Sequence, residues 1–320
     1  MASEPTATRP RIVVMKTARR RAAAAFRSLG TRATALVLTA SLASSAAAGA
    51  ASTADTRHVV RDAPRYVAIG SSYASGPGVG TYDASSGECA RSTSNYARLF
   101  AVARGYELVD VSCSGATIRD VLVGSESLPP QIDAVDRRTR LVTVTIGGND
   151  VGYMADLLGR SCRDEAVTKG TSAAACEVLP DDEVARRFAA LRADLLAVAS
   201  AIRSRSPGAT IVFVEYLPAL PRAGTCPKRV PLMPADADAM RATYDRLTTD
   251  FVDAASRSGA LLVREARIGT GHDACSSSPF VAQYHPAVTP GWDSPVPYHP
   301  NQAGMSAVAA ELQQLLPERR

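Results

Sequence analysis

No H-E-x-x-H helix motif, no C-x-x-C pair and only four histidines occur in the 320 residues. Zinc proteases, zinc ribbons and thioredoxin-type redox centres therefore fit poorly, and neither a metal nor a cofactor is expected. The glycine-rich stretch Gly76-Pro77-Gly78-Val79-Gly80 follows an apolar run. It misses the dinucleotide-binding fingerprint, because its third glycine comes one residue early and Pro77 intrudes. No internal repeat is evident, which argues against solenoids and propellers.

The basic charge is also confined. Residues 1–50 carry eight Arg or Lys and one acid, a net +7 against the formal +5 of the whole chain, so the remainder stands near −2. No basic stripe survives outside that leader, and nucleic acid loses its support as a partner. The leader itself has Arg19-Arg20-Arg21, Arg27 and Arg32 ahead of a small-residue apolar stretch, 33–50, that ends in Ala48-Gly49-Ala50. This is the pattern of a secretory signal peptide cleaved near Ala50. Thr39, Ser41, Ser44 and Ser45 interrupt the stretch, which disfavours a stable membrane anchor. Met15-Lys16 offers an alternative start, and the sequence leaves the export route open between the general and twin-arginine pathways. Residues 51–64 are expected to be a disordered N-terminal segment, and 65–316 a single exported domain.

All six cysteines, Cys89, Cys113, Cys162, Cys176, Cys226 and Cys275, lie in the exported part. An even count there reads as three disulfides, for which fifteen pairings exist. The sequential pairing Cys89–Cys113, Cys162–Cys176 and Cys226–Cys275 is preferred. Each bridge then staples regions flanking strand ends, where long loops most need restraint.

Short apolar runs at 65–69, 107–112, 141–146, 210–216 and 261–265 read as buried strands. Between them, 95–104, 181–205, 235–258 and 301–316 carry apolar residues at helical spacing, such as Leu191, Leu195, Val198 and Ile202. Alternating β and α implies a parallel sheet covered on both faces, a three-layer α/β/α domain. Segments 161–180, 217–234 and 267–298 look too irregular for core, and each holds at least one cysteine. They are expected to be tethered rims of a site.

Gly70-Ser71-Ser72 breaks the first strand sharply, which can aim the Ser72 hydroxyl outward from the carboxyl end of the sheet. A serine needs a base to take its proton and donors for the oxyanion it creates. His299 stands in a turn before the last helix, with Asn301 placed to cap that helix, and is the candidate base. His58 falls in the leading segment, and His272 and His285 sit in the long loop as rim residues. The Ser72 N–H, the Gly115 N–H and the Asn149 side-chain amide can converge from neighbouring strand ends as an oxyanion hole. Tyr73, Tyr153, Phe280, Tyr284 and Trp292 are candidates to line an acyl or alcohol pocket.

Taken in chain order, Gly70-Ser71-Ser72, Gly115, Gly148-Asn149-Asp150 and His299-Pro300-Asn301 resemble the SGNH (GDSL-type) hydrolases, closest to secreted actinobacterial lipases and esterases with three disulfides. The resemblance spans roughly residues 65–316. It implies a flavodoxin-like five-stranded parallel sheet, Ser72 as nucleophile, His299 as base, and Gly115 with Asn149 completing the oxyanion hole. The implied activity is hydrolysis of carboxylic esters by a monomer, through an acyl-enzyme. Acyl transfer to an alcohol, or a non-catalytic binding module on the same fold, are the alternatives. Two departures stand out. Ser71 replaces the usual Asp of the first block, and Val296 occupies the place, three residues before the histidine, where the family often has Asp. The imidazole then needs another orienting group. The backbone carbonyl of Val296 is the expected one, with Asp293 a weaker candidate because Pro295 and Pro297 intervene.

Overall fold

Tyr66, Val67, Ala68 and Ile69 are all fully buried, as a strand covered on both faces must be. They form the core of β1 (Arg65–Gly70) at the centre of the sheet. The computed structural model describes residues 63–286 and 295–317. The expected signal peptide, all but the last two residues of the 51–64 segment, Trp292 and Asp293 lie outside those described residues.

Four further strands complete the sheet: β2 (Glu107–Asp110), β3 (Thr139–Thr145), β4 (Thr210–Val214) and β5 (Leu261–Val263). Their order is β2-β1-β3-β4-β5 and every pairing is parallel. This is the flavodoxin-like arrangement, and the strand order reverses at β1/β3, where such sheets open a crevice at their carboxyl ends. Helices flank the sheet. α1 (Ser72–Ser75) is a single turn directly after β1, α2 is Tyr96–Arg104, and α3 (Ile118–Leu122) follows β2. α4 (Tyr153–Lys169) and α5 (Asp181–Arg205) follow β3, α6 (Pro234–Ser258) follows β4, and α7 (Glu265–Ile268) and α8 (Gln302–Leu315) close the chain. α2 packs on α8, while α5 packs on α6. Leu191, Leu195, Val198 and Ile202 are the buried stripe of α5, each at most 1 % exposed.

The helix ends follow their local chemistry. Asn95 caps α2 by accepting from Arg98 N–H at 2.9 Å, and Asn301 caps α8 by accepting from Gly304 N–H at 3.0 Å. Pro234 opens α6, and Gly259 in the left-handed region ends it.

One element departs from the expectation. Segment 161–180 is not irregular throughout: α4 carries the chain through it as far as Lys169. The helical period was hidden because α4 turns charged residues inward. Arg160, Asp156 and Asp164 are all buried, and Arg160 pairs with Asp156 at 2.9 Å and with Asp236 of α6 at 2.6 Å. Buried charges tolerated as mutual partners read, in sequence, as breaks in an apolar stripe.

The disulfides are Cys89–Cys113, Cys162–Cys176 and Cys226–Cys275, the sequential pairing. The first ties the short 3-10 turn Ala84–Cys89 to the chain just after β2, beside Ser114 and Gly115. No helix among the described residues is long and apolar enough to cross a membrane.

Candidate active site

Ser72 leaves β1 as the first residue of α1, with its Oγ 2.8 Å from Nε2 of His299, 227 residues away in the chain. Both are nearly buried, at 7 % exposure each. The turn that presents Ser72 is held on two sides. Gln131 grips the Gly70 backbone with both ends of its amide, Oε1 accepting from Gly70 N–H at 2.8 Å and Nε2 donating to Gly70 O at 3.0 Å. Ser71 N–H donates across to Thr145 O at 2.9 Å.

The other imidazole nitrogen, Nδ1, stands 2.9 Å from the carbonyl oxygen of Pro297. A carbonyl can only accept, so Nδ1 carries the hydrogen and Nε2 is left as an acceptor facing the Ser72 hydroxyl. The expected partner, the Val296 carbonyl, is engaged elsewhere: it accepts the backbone N–H of His299 at 3.1 Å. The reason is a tight turn over Val296, Pro297, Tyr298 and His299. Proline second and a positive φ third, 62° at Tyr298, are the marks of a type II turn, whose closing bond uses the oxygen of its first residue. The ring folds back instead onto the oxygen two residues before it.

Burial pushes the His299 imidazole down to about 4, with the Pro297 carbonyl pulling weakly the other way. Among the described residues no carboxylate or guanidinium contributes to that shift.

Gly115 sits at φ 82°, exposed, with open space where a Cβ would project, and its N–H is given to no other described residue. Asn149 Nδ2 donates to Ala116 O at 2.9 Å, which fixes the amide and leaves its second hydrogen free. Asp150 accepts from Ile118 N–H at 3.0 Å and 3.2 Å, tying the turn after β3 to the start of α3. The structure thus brings Ser72, Gly115, Asn149 and His299 to the carboxyl ends of β1, β2 and β3.

Several residues around them carry no signal of their own in the sequence. Tyr216 places its hydroxyl 2.9 Å from Gly148 N–H and 3.3 Å from Ser71 Oγ, bridging two of the blocks. Gly148 must lack a side chain there, since a Cβ would stand 2.7 Å from the Tyr216 ring. Tyr73, expected at a pocket wall, is instead 2 % exposed, its ring 4.5 Å from that of Tyr216 and 5.3 Å from that of His299. Burial holds its phenol well above the ordinary value, so it remains a donor. Tyr153 is buried too, whereas Phe280 stacks on His272 at 3.9 Å and Tyr284 lies half-buried near Tyr298. His285 Nε2 lies 2.6 Å from Pro295 O. A cavity of about 420 Å³ opens on the β5 side, lined by Arg222, Arg241, Tyr244, Arg264 and Thr270 among others, and none of Ser72, Gly115, Asn149 or His299 borders it. Among the described residues no group of three or more His, Cys, Asp or Glu is placed to hold a metal ion.

A three-layer fold with a paired serine and histidine at the carboxyl ends of parallel strands defines an α/β hydrolytic enzyme class. Comparison with known proteins makes it specific. Residues 68–307 match the model of the GDSL-like lipase/acylhydrolase family, and the chain belongs to that family as a carboxylic ester hydrolase. It is 33 % identical to Lipase 2 of Streptomyces coelicolor over 259 residues, covering 78 % of this chain and 85 % of that protein. It is similar also to the extracellular lipase of Streptomyces rimosus, whose crystal structure superposes with a TM-score of 0.62 at 30 % identity, over 79 % of this chain and 100 % of that one. The crystal structure of phospholipase A1 from Streptomyces albidoflavus gives a TM-score of 0.64 at 31 % identity, over 79 % and 99 % of the two chains.

Proposed function

We propose that the chain is an exported serine esterase or lipase that works through a Ser72–His299 dyad. The observation that carries this is the pair of distances on one imidazole, 2.8 Å from Nε2 to Ser72 Oγ and 2.9 Å from Nδ1 to Pro297 O. In this reading His299 takes the Ser72 proton as Oγ attacks the ester carbonyl, and the imidazolium then gives that proton to the departing alcohol. The acyl group stays on Oγ. Water, deprotonated by the same Nε2, releases it as a carboxylic acid and restores Ser72. The Ser72 and Gly115 N–H groups and the free Asn149 amide hydrogen receive the oxyanion in both steps. The Pro297 carbonyl does the orienting work that a carboxylate does in a triad, holding the tautomer while adding no full charge.

Three disulfides and the extracellular relative support export. Lipid esters are the first substrates to try, since the similar proteins are named as lipases and a phospholipase. The test is hydrolysis of p-nitrophenyl acetate, butyrate and palmitate, with fluorophosphonate labelling, for the protein and for Ser72→Ala. Loss of both turnover and label in the variant is expected. Hydrolysis surviving Ser72→Ala would overturn the assignment.

A further inference from the structure

The residue before the base is held on several sides. Tyr298 has φ 62°, a left-handed conformation that a bulky side chain adopts only when its surroundings over-determine it. It is fully buried, so its carbonyl and hydroxyl both need partners. The carbonyl accepts from the Tyr73 hydroxyl at 2.6 Å, and the hydroxyl meets Ser161 Oγ of α4 at 2.6 Å. On its other side Tyr298 N–H donates to Ala282 O at 3.0 Å, and Ala282 N–H donates to His299 O at 2.8 Å.

Resting on the Ser72–His299 reading above, we propose that Tyr73 and Ser161 are positioning residues for the base: by holding Tyr298 at its carbonyl and at its hydroxyl, they keep the turn that sets His299 against both Pro297 and Ser72. Tyr73 follows the nucleophile directly in the chain. One hydrogen bond therefore joins the side chain of the residue after Ser72 to the peptide before His299. Tyr73 Oη also lies 3.7 Å from Met154 Sδ, a far weaker acceptor that offers the phenol no equal alternative. Neither Tyr73 nor Ser161 touches the reacting atoms in this scheme. Their effect passes through Tyr298, whose left-handed backbone would relax towards ordinary φ if either hold were lost, swinging the Pro297 carbonyl off Nδ1.

The experiment compares Tyr73→Phe and Ser161→Ala, which each delete one hydroxyl, with Tyr66→Phe. That control loses an equally buried phenol bond, 2.7 Å to Thr143 Oγ1, near the opposite end of β1. Misplacement of a catalytic group by an ångström costs up to about a hundredfold in rate, so Tyr73→Phe should lower kcat and the fluorophosphonate labelling rate by about tenfold or more, with KM unchanged. Ser161→Ala should show the same split to a lesser degree. Tyr66→Phe should melt at a lower temperature and keep both rates. Unchanged kcat and labelling in Tyr73→Phe and Ser161→Ala, or losses that only track the folded fraction, would overturn the proposal. If Tyr73→Phe does not fold, Ser161→Ala is judged alone on the same terms. Ser72→Ala run in parallel separates the two levels: a dead Ser72→Ala beside a wild-type Tyr73→Phe refutes the positioning alone, while an active Ser72→Ala refutes the site.

Discussion

The pH profile of kcat/KM discriminates between ways of orienting His299. An ordinary histidine protonates near about pH 6.5, and a base works only while neutral. Burial of His299 at 7 % exposure pushes its imidazole down to about 4, and no carboxylate among the described residues opposes the shift. At about pH 5 roughly nine-tenths of the enzyme would then hold a neutral base, against about 3 % for an ordinary histidine, a difference of about thirtyfold in rate. The same shift has a stability consequence. Between about pH 6.5 and 4 the unfolded chain binds a proton that the folded one refuses, so stability falls as pH drops through that window and levels off below it, by about 3 kcal/mol in all. The assay is hydrolysis of a short p-nitrophenyl ester followed at the pH-independent wavelength of the nitrophenol, with circular dichroism at each pH to confirm folding. An acid limb near pH 4 is expected. A limb near 6.5 in folded protein would mean that water reaches the ring and solvates its cation. A limb above 6.5 would mean that a carboxylate pairs with Nδ1, since a negative neighbour raises an imidazole, and the carbonyl dyad would be wrong.

Tyr216→Phe leaves the buried Gly148 N–H without its 2.9 Å acceptor and should cost about 1–3 kcal/mol in urea denaturation, with an unchanged midpoint showing the bond to be dispensable. Glu215 is 1 % exposed and burial lifts its carboxyl to about 7, the half-exposed Arg264 at 3.1 Å and the Ala266 N–H pulling it back only partly while buried Glu265 stands nearby. Between about pH 4.5 and 7 the unfolded chain has released this proton and the folded one keeps it, so stability falls as pH rises. Glu215→Gln should therefore gain in melting temperature over the parent from pH 5 to pH 8, and a constant difference would contradict the shift. Replacing Cys162 and Cys176 by serine opens a loop of sequence separation 14 and should lower the guanidinium midpoint by the equivalent of about 3 kcal/mol. An unchanged midpoint would show that the ion pairs of Arg160 already hold the end of α4.

How far the sequence carried depends on whether the information was local. The five strands were legible because each is a short apolar run cut by glycine or proline, and the parallel sheet followed from alternation with helices, whereas its flavodoxin-like form came from the family resemblance. Where their ends differ they do so by one or two residues, as at β4, which stops at Val214, short of Tyr216, whose hydroxyl accepts from Gly148 N–H. That Ser72, Gly115, Asn149 and His299 gather at one end of the sheet was legible because each stands in a turn after a strand or before a helix. α4 was not, because its inward face is built from Arg160, Asp156 and Asp164, whose partner Asp236 is 76 residues from Arg160. Gln131 and Tyr216 were invisible for a related reason: each acts on backbone 61 or 68 residues away, and nothing beside them in the chain says so. The acceptor for the imidazole was misplaced by one residue because Tyr298 occupies a turn position that glycine or asparagine normally marks.

The two departures from the family pattern belong together. With Ser71 where the family usually has Asp and Val296 where it often has another, the side-chain contacts of Ser72 and His299 among the described residues are neutral: the two bond to each other, Nδ1 meets the Pro297 carbonyl, and the Tyr73 ring lies 5.3 Å from the imidazole. A carboxylate at 71 would be buried at a position now 1 % exposed, next to the Tyr216 hydroxyl, and would carry a desolvation cost. With neither Ser71 nor Val296 a carboxylate, the developing oxyanion meets less fixed negative charge in a poorly solvated site, where each aligned N–H counts for more than it would in water. The counterpart is that no ion pair among the described residues draws His299 into place. Its position must come from geometry, and the bonds that bear on it, Tyr73 to Tyr298 and Pro297 to Nδ1, are neutral and short.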